Sequence, residues 1–91
     1  MVIRKERRQT ILRLYLYKKR EATGLSMNKL AKSLDMDVHH YSQIENGEVS
    51  KVNFLLFCKI ALALDISLYE LYRYETAYQK EREERWFDEA F

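Results

Sequence analysis

The chain has 91 residues, 47% of them hydrophobic and 33% charged, and its formal net charge is +2. This length suits one domain with a single modest core and excludes a second folded domain. Because there is no proline and only two glycines, the composition disfavours an all-β fold, which needs frequent tight turns, and predicts helices. The single Cys58 excludes an intramolecular disulfide, and no Cys/His group has zinc-ligand spacing. Together with the absence of a signal peptide or membrane-spanning stretch, this predicts a cytoplasmic protein.

Charge is distributed unevenly along the chain. Residues 1–20 contain eight Lys or Arg against one Glu, a local charge of +7, whereas residues 67–91 contain four basic and seven acidic side chains, a local charge of −3. A cationic segment attracts polyanions such as nucleic acid, and a basic amphipathic helix can instead bind an anionic membrane. A solvated helix face is the third interpretation, so charge alone does not name the partner.

The spacing of apolar residues predicts three helices in the first half of the chain. The first begins at Thr10, with an earlier start within residues 2–8 left open, and ends at Gly24. Its inward stripe is predicted to consist of Ile11, Leu12, Tyr15, Leu16 and the stem of Lys19. The second spans Leu25 to Leu34 with Ser26 as N-cap, and the third spans Val38 to Asn46 between Asp37 as N-cap and Gly47.

Two further helices are predicted in the second half. The fourth, from Phe54 to Leu64, is the most apolar and is expected to be the central core element; its apolar residues include Leu55, Phe57, Cys58, Ala61 and Leu62. The sequence Ser67-Leu68-Tyr69-Glu70 is a capping box that starts the fifth helix, which continues nearly to the C-terminus. Leu68, Leu71 and Tyr72 are expected to pack on the core.

The second and third helices are short and joined by only three residues, Asp35-Met36-Asp37. Helices of this length do not bury a face alone, and the small Ala31 at the crossing point lets them meet at a steep angle. The predicted inward residues are Leu30, Ala31, Leu34, Met36, Tyr41 and Ile44. This pattern is typical of a helix-turn-helix.

The stretch from Gly24 to Gly47 resembles the Cro/repressor-type helix-turn-helix of phage repressors and bacterial Xre-like regulators. The resemblance includes Gly-Leu-Ser before the second helix, Leu-Ala at the crossing and Ile-Glu-Asn-Gly after the third helix. It continues from Lys59 to Leu71 and covers roughly residues 12 to 71. It implies an all-α fold, namely a compact five-helix lambda-repressor-like domain with an extended C-terminal helix. The chain is then divided into a basic arm or helix extension at residues 1–9, the helix-turn-helix domain at 10–72 and a C-terminal extension at 73–91.

The resemblance implies that the third helix enters the major groove of duplex DNA. The base-facing positions carried over are Asp37, Val38, His39 and Gln43, of which Gln43 suits adenine best. The DNA-backbone candidates are Arg4, Lys5, Arg7, Arg8, Asn28, Lys29, Lys32, His40, Ser42, Asn46 and Lys51. A structural ion pair is implied between Arg20 and Glu45.

Two residues depart from the family pattern. Met27 replaces a common Gln that supports a phosphate contact, and Asp35 replaces a common Gly in a turn that favours a left-handed residue. Asp35 and Asp37 also place negative charge near the expected DNA. The histidines His39 and His40 point about 100° apart on a helix, so contact with bases or phosphates ranks first, plain exposure second and a metal site a distant third.

The leading hypothesis is therefore a sequence-specific transcriptional regulator, a repressor that binds a palindromic operator as a homodimer. The aromatic tail supplies the dimer-interface candidates Tyr74, Tyr78, Trp86 and Phe87, of which the last three are expected to be exposed in a monomer. The open alternative for the tail is that it folds back on its own domain. The second hypothesis is a protein-interaction module, such as an antirepressor or an inhibitor of a nucleic-acid enzyme. No catalytic motif, cofactor or metal is predicted.

Overall fold

The structure is a computed structural model, which describes the backbone of residues 10–90 and the side chains of residues 10–84. Five helices follow one another: α1 (Leu14–Thr23), α2 (Met27–Ser33), α3 (Val38–Glu45), α4 (Phe54–Ala63) and α5 (Leu68–Ala90). Between residues 10 and 90 there is no strand, and the predicted all-α fold is confirmed. The arm predicted at residues 1–9 lies outside the described residues. Within the described part of the chain, no helix has the length and apolar character needed to cross a membrane.

Capping side chains account for where α2, α4 and α5 begin; those at Ser26 and Ser67 were predicted, whereas that at Asn53 was not. The Ser26 hydroxyl accepts a hydrogen bond from the Lys29 N–H, and the Asn53 side chain accepts one from the Leu56 N–H. At the start of α5, Ser67 and Glu70 each accept a hydrogen bond from the other's backbone N–H, which confirms the capping box. These contacts satisfy N–H groups that a helix leaves free in its first turn.

Left-handed residues follow four of the helices, including α3, which is followed by Gly47 with a φ of 83°. Gly24 has a φ of 75° and donates to the carbonyls at the end of α1. Asp35, after α2, has a φ of 54°, the conformation that the resemblance implies for this turn, and Asp65, after α4, has a φ of 59°. The helix-turn-helix therefore uses an aspartate where a glycine fits without backbone strain.

The start and inward face of α1 differ from the prediction. The helix begins at Leu14, so Ile11 and Leu12 precede it, and its buried side is formed by Arg13, Leu16 and Arg20. Arg13 has a non-helical ψ of 76° and donates its backbone N–H to the Glu45 carbonyl, 2.9 Å away. The chain before Leu14 is thus bonded to the end of α3 instead of continuing the helix.

One hydrophobic core joins all five helices. Leu16 of α1 packs in the same cluster as α2 and α3, which meet through the helix-turn-helix. The other core residues are Leu30, Ala31, Tyr41, Ile44, Phe57, Ile60, Ala61, Leu64, Ile66 and Leu71. The core therefore fixes α3 against α2, and the opposite side of α3 does not contact the core.

The fourth and fifth helices bury less than predicted. On α4, Leu55 and Leu62 face solvent, the latter 85% exposed, because only one side of the helix meets the core. On α5, Leu68 and Tyr72 are exposed, Tyr72 by 68%, and their predicted packing on the core is wrong. Tyr78 is only 5% exposed, so its predicted exposure is also wrong. Its hydroxyl donates to the Ile11 carbonyl, which draws the ring towards the segment before α1.

Candidate nucleic-acid interface

Helix α3 has one buried side and one side turned to solvent. Its buried residues are Tyr41, Ile44 and Glu45. The predicted base-reading residues lie elsewhere on the helix and at its N-cap: Asp37 and His39 are exposed, whereas Val38 and Gln43 are half-buried. Val38 is half-buried because it also packs against the core. None of the four residues at which base contact is predicted is buried, but only Asp37 and His39 are exposed to solvent.

The predicted backbone-contact residues are placed on both sides of this helix. Asn28, Lys29 and Lys32 are exposed on α2, and Lys51 is exposed in the loop after α3. Arg4, Lys5, Arg7 and Arg8 lie outside the described residues. His40 is exposed; Asn46 and Ser42 are half-buried and bonded to each other, with the Asn46 amide donating to the Ser42 hydroxyl at 3.0 Å.

A shallow cleft follows the turn between α2 and α3. Its lining includes Asn28 and Lys32 from α2 and Asp35 and Asp37 from the turn. The Lys32 ammonium and the carboxylates of Asp35 and Asp37 therefore line the same cleft. A phosphate that approaches Lys32 is attracted by its charge and repelled by the two carboxylates. Within the described residues no group of three His, Cys, Asp or Glu side chains is arranged to hold a metal ion.

Arg20 and Glu45 tie the last turn of α3 to α1. The Arg20 Nε lies 2.9 Å from Glu45 Oε2 and its Nη2 lies 3.0 Å from Oε1, a bidentate pair. The Tyr41 hydroxyl donates to the same carboxylate at 2.8 Å. The hydrogen bond to Glu45 raises the pKa of Arg20, and burial, followed by the Glu45 charge, raises the pKa of Tyr41. Arg20 therefore stays charged and Tyr41 stays neutral while they hold the last turn of α3.

Arg13 makes a second and larger set of contacts with the end of α3, which the sequence analysis did not predict. Its side chain is 0% exposed, and all five guanidinium N–H groups have acceptors. Nη1 donates to the carbonyls of Ile44 and Val49, at 2.7 and 2.8 Å, and Nη2 donates to that of Ser50 at 2.7 Å. Nε and Nη2 also donate to the Glu75 carboxylate of α5, each at 3.0 Å.

The sequence held a partial signal for this arginine. Arg13 precedes Leu16 by three residues and Arg20 by seven, the spacing of one helix face. That spacing indicates an inward Arg13, yet nothing in it indicates Glu75, which lies 62 residues away.

These features, a short helix fixed on a compact pair with its polar side outward, are those of a DNA-reading domain. A family model described as helix-turn-helix, of the Cro/repressor type that includes Xre-like regulators, matches residues 16–71, more than half of the chain. The chain belongs to this family. Cro/repressor-type helix-turn-helix domains are those of DNA-binding transcription regulators. Neither a curated protein nor a solved structure matches the chain.

Proposed function

We propose that this Cro/repressor-type chain is a sequence-specific repressor that binds a palindromic DNA operator as a homodimer. Helix α3 lies in the major groove and reads bases through Asp37, Val38, His39 and Gln43. The observation that carries the proposal is the solvent-facing side of α3, presented on a helix pair whose other side is buried.

Phosphate contacts are supported from three directions. Lys29 and Lys32 on α2 and Lys51 after α3 are exposed and flank the reading helix. The predicted basic arm precedes Ile11, whose carbonyl accepts from the Tyr78 hydroxyl and lies against Gly47, just beyond the end of α3. Arg8 is three residues before Ile11 in the sequence, which supports a contact between the basic residues of this segment and the DNA backbone.

The homodimer is supported by apolar side chains that the domain leaves uncovered. Phe54 and Leu55 at the start of α4, and Leu68, Tyr69 and Tyr72 at the start of α5, are exposed. Exposed apolar surface of this kind commonly marks an interface. Tyr74 is partly exposed and stays a candidate for the dimer interface. Tyr78 is buried and therefore is not available to a partner. The side chains of Trp86 and Phe87 lie outside the described residues. A two-fold dimer places its reading helices about 34 Å apart, one turn of DNA.

Selection of bound sequences from a random duplex pool tests this function. The expected result is one preferred sequence with two-fold symmetry and an affinity that falls steeply with salt, by a slope of about 0.9 per neutralised phosphate. An asymmetric preferred sequence would contradict the homodimer. Weak binding without sequence preference would instead favour the protein-interaction module, for which the exposed carboxylates of Asp35 and Asp37 would be the docking groups.

A reducing cytoplasm, as the sequence predicts, suits a chain whose one cysteine has no partner thiol.

A further inference from the structure

We propose that Arg13 is a positioning residue for base reading, which transmits the position of α5 to the last turn of α3. The proposal rests on the proposed function, because it concerns the accuracy with which α3 is presented to DNA. It adds a role for two residues, Arg13 and Glu75, that lie outside the part of the chain matched by the family model.

Arg13 holds the end of α3 by its main chain. The Arg13 N–H donates to the Glu45 carbonyl at 2.9 Å, and its Nη1 donates to the Ile44 carbonyl at 2.7 Å. These are carbonyls of the final turn, which has no further helical N–H to bond. Arg20 holds the same turn through the Glu45 side chain, so the two arginines fix it at different atoms.

The other side of the guanidinium is fixed by α5. Glu75 accepts from Arg13 Nε and Nη2, from the Tyr15 hydroxyl at 2.6 Å and from the Gln79 amide at 2.8 Å. The Arg13 guanidinium also lies 4.5 Å from the centre of the Tyr78 ring, within cation–π range. Because Arg13 is fully buried, its hydrogen bonds have no water to replace them, and a shift of α5 must move Arg13 or break them.

The connection reaches the best base-reading candidate. The Gln43 carbonyl accepts from the Val49 N–H at 3.2 Å and from the Glu48 N–H at 2.9 Å. The Val49 carbonyl accepts from Arg13, and Arg13 donates to Glu75. Three successive hydrogen-bonded steps therefore join the backbone of Gln43 to α5. A reading side chain must be held within about 0.5 Å of its productive position, so a loosened step costs discrimination between bases.

The first experiment compares base discrimination in Glu75→Gln and a stability control, using the full chain and the duplex recovered from the random pool. Glu75→Gln keeps the side-chain volume and removes the charge that holds Arg13. The control, Ile60→Val, instead weakens the core at a fully buried residue of α4 and leaves unchanged both residues of the clamp, which consists of Arg13 and Glu75 with the hydrogen bonds that they make. The ratio of affinities for the recovered duplex and for one altered at the base pair read by Gln43 is measured at a temperature where every variant is folded.

We expect Glu75→Gln to reduce this ratio by about tenfold and Ile60→Val to leave it within about twofold. Equal ratios in the wild-type chain and Glu75→Gln would overturn the proposal, because the clamp would then be purely structural. An equal reduction in both variants would overturn it as well, since general destabilisation would account for the loss.

A second measurement needs no DNA and so separates this proposal from the proposed function. Amide hydrogen exchange is followed at Gly47, Glu48 and Val49 after α3 and at Leu34 after α2. Glu75→Gln should speed exchange of the first three by about tenfold and leave Leu34 unchanged. Unchanged exchange after α3 overturns the coupling of α5 to α3, whereas faster exchange together with a wild-type chain that has no sequence preference overturns base reading and leaves this coupling in place.

Discussion

At the scale of single residues, the two glycines share a backbone conformation and differ in their surroundings. Gly24 has a φ of +75° and nothing within 4 Å of an added Cβ. Gly47 has a φ of +83°, and an added Cβ would collide with the Ile11 carbonyl and lie 2.9 Å from the Tyr78 hydroxyl. Gly47 therefore admits the segment before α1 as well as ending α3.

This difference predicts unequal costs for the same substitution. Gly24→Ala is expected to lose about 1 kcal/mol of unfolding free energy, because only the left-handed backbone is strained. Gly47→Ala should lose about 3 kcal/mol, because the Ile11 segment must also move. Urea unfolding of both variants checks the prediction, and equal losses would show that the Ile11 carbonyl does not approach Gly47.

The buried tyrosines predict a loss of stability in alkali. Desolvation by burial is the main cause that raises the pKa values of Tyr41 and Tyr15 in the native state, so each keeps its proton above pH 10, where the unfolded chain releases it. The contribution of these tyrosines to the free energy of unfolding is therefore fully present below about pH 10. Above that pH it falls by about 1.4 kcal/mol per pH unit for each such tyrosine.

The Tyr41→Phe variant tests the assignment. Its unfolding free energy at neutral pH should be lower than that of the wild-type chain, because the hydrogen bond to Glu45 is lost, yet its decline above pH 10 should be less steep. Ile60→Val serves as the control that lowers stability without removing a titrating group. If the unfolding free energy of Tyr41→Phe declines above pH 10 as steeply as that of the wild-type chain, groups other than Tyr41 cause the loss of stability in alkali.

At the scale of elements, the sequence predicted local features better than distant contacts. The caps at Ser26 and Ser67 and the left-handed turn at Asp35 depend on a few neighbouring residues and were confirmed. The start of α1 was wrong, because contacts with α3 and α5 override the apolar pattern of Ile11 and Leu12. A carboxylate 62 residues from its arginine leaves no periodic signal in one sequence.

The attachment by Arg13 predicts that lysine cannot replace it. Arg13→Lys keeps the positive charge but supplies three donors where five acceptor contacts exist, and its ammonium lacks the planar fork. We expect a loss of about 3 kcal/mol in the free energy of unfolding, measured in urea. Arg73→Lys, at an exposed position on α5, should change it by less than about 0.5 kcal/mol. Similar values for both would refute the buried network.

The reading helix predicts a contrast between two kinds of DNA contact. Gln43→Ala should reduce discrimination at one base pair by about 1–3 kcal/mol, because an amide can bond adenine at two atoms. Lys51→Ala should weaken binding to every sequence alike and reduce the salt slope by about 0.9. Fluorescence anisotropy with the selected duplex and single-base variants measures both. An unchanged base preference in Gln43→Ala would move the reading role to another residue.

At the scale of the whole molecule, apolar composition was a poor guide to burial. The sequence predicted α4 as a central core element, yet Leu55 and Leu62 face solvent, because a small domain has one core and α4 meets it on one side. Tyr72 and Tyr78 show the reverse of their expected burial for the same reason: Tyr78 lies seven residues after Leu71, on the covered face of α5, whereas Tyr72 lies on another face. The number of aromatic residues in the tail therefore did not indicate which of them are exposed.

The exposed start of α5 predicts which substitution separates the proposed homodimer. In Tyr72→Glu a carboxylate replaces an exposed ring, and a two-fold interface repeats the change on both subunits, so like charges approach each other. We expect sedimentation to show a monomer at concentrations where the wild-type chain is a dimer, with unchanged helical circular dichroism. Ala77→Glu, which is also exposed on α5 but is rotated by about 140° from Tyr72 around the helix, is the control and should remain dimeric. Binding of Tyr72→Glu to the palindromic duplex should fall by at least about 100-fold, because each half-site must then be occupied separately. A dimer that persists in Tyr72→Glu would place the interface on another surface.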